Sequence, residues 1–247
     1  MNRPRQQWAA WLLFACVGTV CADEHCIQWG AGGRSFADGS WHLRDAGRRF
    51  DAVDRAENMQ LAATDATLQA TRQDGKIYAA ALTTAGRLSI SAGSIEAVMT
   101  LCADAPVRGS VWLQSPENRL LDGGQPGPGA EIDVIELVGG SRPFYSQNLH
   151  FGGYGSGHVT RGNVVRISNT CSPHLYTASF GPDGYEFGID RVRTWTDRQA
   201  QRSAQEAPIL SIEYDRKLGP IASGGPDAVL GELKVTSLKV CGNWKFS

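Results

Sequence analysis

The chain has 247 residues, 42% of them hydrophobic, with 24 basic and 25 acidic side chains and a net charge of −1. That composition excludes a disordered polymer, and a near-neutral balance without a basic run offers nothing to attract nucleic acid or an anionic membrane. The length suits one large all-β domain or two small ones.

At the N-terminus, Arg3 and Arg5 precede an apolar run from Trp8 to Val20, and Val20-Cys21-Ala22 sets small residues where a signal peptidase cuts. Residues 1–22 are therefore expected to be a signal peptide and residues 23–247 one mature domain, secreted or periplasmic and free of the membrane. The apolar run is about a dozen residues, short of the roughly 20 that a spanning helix needs. Its removal takes two arginines and no acids, moving the net charge to about −3. Export leaves Cys26, Cys102, Cys171 and Cys241, an even number without the CxxC spacing of a zinc site. Three pairings are open. Cys26 and Cys241 sit near the two ends of the mature chain, which favours a clasp between them and leaves Cys102 with Cys171; four buried free thiols are the alternative.

From Cys26 to Asp51 the sequence is rich in Gly, Asp and Arg with isolated aromatics, which suits loops and short edge strands. Ala63 to Arg72 reads as a strand entering a hairpin at Gln73-Asp74-Gly75. Strands are then expected at Ile77 to Thr83, Leu88 to Ser91 and Ser94 to Leu101, parted by Gly86 and Gly93. Further strands follow at Ser110 to Ser115, Glu131 to Leu137, Gln147 to Phe151, Val164 to Ile167, Leu175 to Phe180, Tyr185 to Ile189, Ile209 to Tyr214 and Leu233 to Val240. Pro182-Asp183-Gly184 marks a hairpin, while Gly139-Gly140 and Gly152-Gly153 break the chain. Such spacing, with no internal repeat or linker, predicts a single all-β sandwich or barrel.

Behind the Gly-rich run Gly123 to Gly129 stands Glu131-Ile132-Asp133-Val134-Ile135-Glu136. Strand alternation puts Glu131 and Asp133 on one face with Ile132 and Val134 on the other. Strict alternation would then bury Glu136, at a cost of several kcal/mol for an unpaired carboxylate. A bulge that resets the face is the cheaper arrangement and lines up all three acids. Paired carboxylates on a sheet suit glycosidic bond cleavage, in which one attacks or stabilises the anomeric carbon and the other protonates the leaving oxygen. Asp133 between them can hold one partner through a shared proton and separate their pKa values.

Alternation also nominates cleft walls. Val111 and Leu113 fit the core, leaving Trp112 as a flat plate for a sugar ring and Gln114 as an amide for hydroxyls. Leu210 and Ile212 alternate with Ser211 and Glu213, which makes Glu213 a further candidate. His150 and Tyr154 flank Gly152-Gly153, which reads as a loop at the cleft rim; no Lys-Ser/Thr follows, so it is not a phosphate loop.

Several ordered landmarks surround the acids: Leu82-Thr83-Thr84 through Gly93-Ser94-Ile95-Glu96-Ala97 upstream, the aromatic strand Val111-Trp112-Leu113-Gln114, and His174-Leu175-Tyr176 through Pro182-Asp183-Gly184-Tyr185-Glu186-Phe187-Gly188-Ile189-Asp190 downstream. With Glu131, Asp133 and Glu136 these resemble glycoside hydrolase family 16, whose hallmark is ExDxE or, with a bulge, ExDxxE on a strand of a curved jelly roll. The resemblance spans roughly residues 30–245. It implies a jelly-roll β-sandwich of two curved antiparallel sheets with a concave cleft. Glu131 would be the nucleophile, Asp133 its helper and Glu136 the general acid and base, in a retaining mechanism with a covalent glycosyl-enzyme intermediate. Glu96 joins the candidate substrate contacts through its place in the family's GxxEAR-like strand. No cofactor is required; the family often carries a structural calcium on the convex face, with ligands that do not map onto this sequence. Val98 stands where the family has the arginine of that strand, Gly129-Ala130 lacks the tryptophan often found before the nucleophile strand, and Arg191 replaces the glycine after Asp190. Ser179 and Phe180 also depart from the pattern. These changes lie in subsites and turns and put the substrate, not the acids, in question. The expectation is a monomeric endo-acting hydrolase of a polysaccharide, β-1,3- or β-1,3/1,4-glucan first, with a galactan of agar, carrageenan or porphyran type or a bacterial exopolysaccharide as alternative. A transglycosylase or a glycan-binding jelly roll without turnover are the other readings.

Overall fold

Short runs of aliphatic and β-branched residues, each closed by Gly, Asp or Pro, favour strands over helices throughout. The computed structural model describes residues 25–119, 127–141, 143–198, 204–221, 225 and 227–246, so the expected signal peptide lies outside the described residues. Its strands are β1 (His25–Gly30), β2 (His42–Leu43), β3 (Gly47–Arg49), β4 (Ala52–Asp54), β5 (Met59–Leu61), β6 (Ala66–Gln73), β7 (Lys76–Thr83), β8 (Leu88–Ala103), β9 (Val107–Gln114), β10 (Ala130–Val138), β11 (Phe144–Phe151), β12 (Val159–Val165), β13 (His174–Gly181), β14 (Gly184–Ile189), β15 (Val192–Asp197), β16 (Ala207–Tyr214) and β17 (Ala228–Phe246). The helical pieces among the described residues are two 3-10 turns, Ala56–Asn58 and Arg216–Leu218.

They form the jelly-roll sandwich that the sequence predicts. One sheet runs β12-β11-β10-β9-β16-β7-β2, antiparallel throughout. The other runs β15-β14-β13-β8-β17, with β1 and β6 both along the far edge of β17. β7 joins the two, pairing with β6 through Lys76–Tyr78 and with β16 through Ala80–Thr83. Period-two alternation fills the space between them: Val111, Leu113, Ile132, Leu137, Leu210 and Ile212 meet Leu68, Ile95, Met99, Leu101, Leu233 and Val240 in one buried core.

Two expectations need correction. β8 is one strand of 16 residues, not two parted at Gly93. Gly93 sits at φ +148 with the Cys241 carbonyl so close that a Cβ would collide with it, so glycine there permits a tight approach of β17, not a turn. β15 was not expected, since its residues are mostly polar. It is an edge strand held by pairing with β14 and by Trp195 stacked on Phe187 at 4.8 Å.

Both expected disulfides form. Cys26 and Cys241 are directly opposed on β1 and β17, and Cys102 of β8 joins Cys171 in the loop before β13. Their sequence separations are 215 and 69 residues. Loop-closure entropy predicts that removing the longer clasp (Cys26→Ala with Cys241→Ala) costs about 5 kcal/mol, about 1 kcal/mol more than removing the other. Equilibrium denaturation of the two double variants checks the order, and the reverse ranking would reject the loop-closure account.

Candidate active site

The site is built on β10. Against β11 its register moves from Asp133 opposite Asn148 to Glu136 opposite Ser146, three steps on one strand for two on the other. That bulge lets Val134 and Ile135 both point into the core with no exposure and brings Glu136 onto the face of Glu131 and Asp133. The acids floor a cleft of about 550 Å³, walled by Arg108, Ser110 and Trp112 of β9, His150 of β11, Ser211 and Glu213 of β16, and Arg44, Arg49 and Phe50 from the N-terminal segment.

Each acid has its own set of partners. The Gln114 side-chain amide donates to Glu131 Oε2 at 2.8 Å, and the Tyr154 hydroxyl donates to the same oxygen. Burial pushes the Glu131 carboxyl up from its ordinary pKa, opposed by the Tyr154 hydrogen bond and by His150. Two donors on one oxygen stabilise the carboxylate and aim the other oxygen, Oε1, at the cleft. Asp133 is almost wholly buried, and burial together with the charge of Glu136 pushes it up to about 8. Its Oδ2 lies 3.0 Å from His150 Nε2, which is 3.9 Å from Glu131 Oε1. Burial lowers the affinity of His150 for its proton, but the hydrogen bond and charge of Asp133 outweigh it and the pKa rises. Behind it, His150 Nδ1 meets His158 Nε2 at 2.9 Å, with the rings stacked. Glu136 accepts from Asn148 Nδ2 at 2.5 Å and from Ser146, and pairs with Arg108 Nη1 at 3.1 Å.

The structure thus brings Glu131, Asp133, Glu136, Gln114, His150 and Tyr154 together. Trp112 lies in the cleft wall, but it is not the open plate expected: it is 4% exposed, covered by Arg44 and Arg49 guanidinium groups at 4.9 and 5.7 Å from its ring, and it donates to Ser211. Glu213 is also in the wall, yet its carboxylate is buried and engaged by Arg49 Nε at 2.8 Å. Glu96 is a correction. It stands on β8 of the opposite sheet, and because Ile95 and Ala97 on either side point into the core, its side chain faces away from the cleft.

Residues not foreseen are Arg44, Arg49, Arg108, Ser110, Asn148 and Ser146. Four of them were readable by extending an alternation: Arg108 and Ser110 share the face of Trp112 and Gln114, and Ser146 and Asn148 share that of His150. Arg44 and Arg49 had no local signal. Glu131, Asp133 and His150 offer ligand atoms within 4.8 Å of one another, the one such cluster among the described residues. A cation there would compete with the proton on Asp133 and its contact with His150.

No family model matches the sequence, and no curated protein matches it. Solved structures do share its fold. The laminarinase catalytic domain from Thermotoga maritima is 14% identical with a TM-score of 0.70, covering 90% of this chain and 99% of that one. A glycoside hydrolase family 16 endo-glucanase from Bacteroides ovatus is 16% identical with a TM-score of 0.64, covering 83% and 96%. The kappa-carrageenase from Pseudoalteromonas carrageenovora is 16% identical with a TM-score of 0.67, covering 92% and 98%. The chain has the jelly-roll fold of these enzymes over nearly their whole length.

Proposed function

We propose that this protein is a glycoside hydrolase of family 16, an endo-acting enzyme that cleaves a β-linked polysaccharide with retention of configuration. The observation that carries this reading is the bulge in β10, which sets Glu131, Asp133 and Glu136 on one face of an open cleft. Glu131, held by Gln114 and Tyr154, attacks the anomeric carbon and forms the glycosyl-enzyme. Glu136 protonates the departing oxygen and then takes a proton from the water that releases the sugar. Asp133 keeps a proton between them, so the floor does not carry three adjacent negative charges. The two-carboxylate mechanism calls on no cofactor. The shared fold with a laminarinase, an endo-glucanase and a carrageenase supports a polysaccharide as substrate. Two disulfides fit an exported protein.

The acids do not choose between a glucan and a galactan; the cleft walls must. Release of reducing ends from laminarin, lichenan, agarose, carrageenans and an exopolysaccharide panel identifies the cleaved polymer. Proton NMR of the first product from that polymer is expected to show the β-anomer before mutarotation, and the α-anomer would eliminate the covalent route. Binding to a member of the panel with cleavage of none would favour a glycan-binding jelly roll.

A further inference from the structure

The three arginines of the cleft are not equivalent. Arg49 is neutralised by Glu213 at 2.8 Å and Arg108 by Glu136 at 3.1 Å. Among the described residues Arg44 has no carboxylate this close. The nearest carboxylate is Asp45 at 3.8 Å, with a side chain 68% exposed, whereas that of Arg44 is 19% exposed. Its Nη2 donates to Gln114 Oε1 at 2.6 Å, while Nη1 is buried with no hydrogen-bond partner among the described residues. Burial and the adjacent Arg49 both disfavour its charge. A desolvated guanidinium with an unused N–H is costly unless an anion meets it, and its planar fork suits two oxygens of one acidic group.

Position strengthens this. Arg44 lines the cleft over the acids and also a second cavity of about 530 Å³ beside it, whose walls include His42, Lys245, Gln114 and Ile209. Arg44 is the residue common to both linings, so it stands at the junction of the two spaces, and its hydrogen-bond partner Gln114 lines the second. The guanidinium lies on Trp112, taking the place where a neutral sugar would find an aromatic plate.

Building on the glycan-hydrolase reading above, we propose that Arg44 is a specificity-determining residue that receives an anionic substituent, a sulfate ester or a carboxylate, on a sugar next to the scissile unit, so that the substrate is an acidic β-glycan. Arg49 and Trp112 hold it in place, and Gln114 couples it to Glu131. A role confined to orienting Gln114 would make Arg44 indifferent to substrate charge.

The test uses the full chain carrying Glu131→Gln, so that binding is read without turnover, at about 150 mM salt, where loose charge attraction is screened. The probes are κ-carrageenan and its desulfated form, hyaluronan and its carboxyl-reduced form, laminarin and lichenan, by affinity electrophoresis and thermal shift. At least one acidic polymer should bind ten times or more tighter than its neutralised counterpart, and which pair shows the difference tells sulfate from carboxylate. Adding Arg44→Met should remove that preference, bringing each acidic polymer to the affinity of its neutralised counterpart. Without ligand, the same change should leave Tm equal or higher, because it removes a cation that burial and Arg49 disfavour and that the exposed Asp45 and the already paired Glu213 offset only in part. Equal binding of charged and neutralised polymers, preference for a neutral glucan, retention of none of the six, or a fall in Tm with Arg44→Met would each overturn the proposal. Binding of an acidic polymer that the wild type does not cleave would sink the hydrolase reading and leave this one standing.

Discussion

Glu131→Gln is expected to lower kcat by about four orders of magnitude while leaving the fold and substrate binding intact, because an amide cannot form the glycosyl-enzyme. The change is nearly isosteric, and the Gln114 and Tyr154 contacts to Oε2 offer places for an amide oxygen. Glu136→Gln makes a different prediction. Loss of a general acid costs roughly 10² to 10⁴ on the polysaccharide, but far less with an aryl glycoside whose leaving group needs no proton. With such a substrate Glu136→Gln should show a burst of aryl alcohol as the glycosyl-enzyme accumulates, and Glu131→Gln should show none. If Glu131→Gln kept a hundredth of the wild-type rate, or if the two burst results were exchanged, the assignment of roles would be wrong. The exchange is a real contest, since Glu136 pairs with Arg108 at 3.1 Å whereas burial raises the pKa of Glu131. Each glutamate has two donors on its Oε2, Gln114 and Tyr154 on Glu131 and Asn148 and Ser146 on Glu136, so the burst experiment decides between them.

How much of this could be read from the residues depends on how far each residue's environment is set by its own strand. The bulge in β10 followed from local cost: a buried Glu136 is worse than one displaced residue, and Val134 and Ile135 do both turn inward. The disulfide between Cys26 and Cys241 was also within reach, because the chain ends of a sandwich tend to be neighbours. Trp112 shows where local reasoning stops. Alternation gave its face, but the groups that cover it come from Arg44 and Arg49, and Arg44 lies 70 residues before its partner Gln114. The segment around residues 42–50 has no periodicity, and only its pairing with β7 and packing beside β16 brings it to the cleft. Glu96 failed for the opposite reason. A landmark that aligns in order along the chain says nothing about which sheet its strand joins, and β8 lies between β13 and β17, away from the acids.

Asp133→Asn tests the proton that the site is built to hold. The groups that face this carboxyl are Glu131 and Glu136 on its own strand and His150 on β11. Burial, then the charge of Glu136, raises it from an ordinary value of 3.8 to about 8, so the folded protein binds a proton there that the unfolded chain has lost above about pH 4. The sign of the linkage follows: this group favours the fold fully below about pH 4, and its contribution is lost as pH climbs through about 8. Asparagine is neutral at every pH, so the variant should lose less stability than the wild type between pH 4 and 8, the difference shifting in the variant's favour through that window and levelling off above about pH 8. In catalysis, ionisation of Asp133 would place a third charge beside the two glutamates, giving kcat/KM an alkaline limb near pH 8. Asp133→Asn should cost about 10²-fold through the lost proton sharing with His150 and Glu131, yet move that limb upward. Asp133→Ala, which removes the hydrogen bond as well, should be slower still. An unchanged alkaline limb in Asp133→Asn would mean that the titrating group is His150, and the proton would have to be assigned to the histidine.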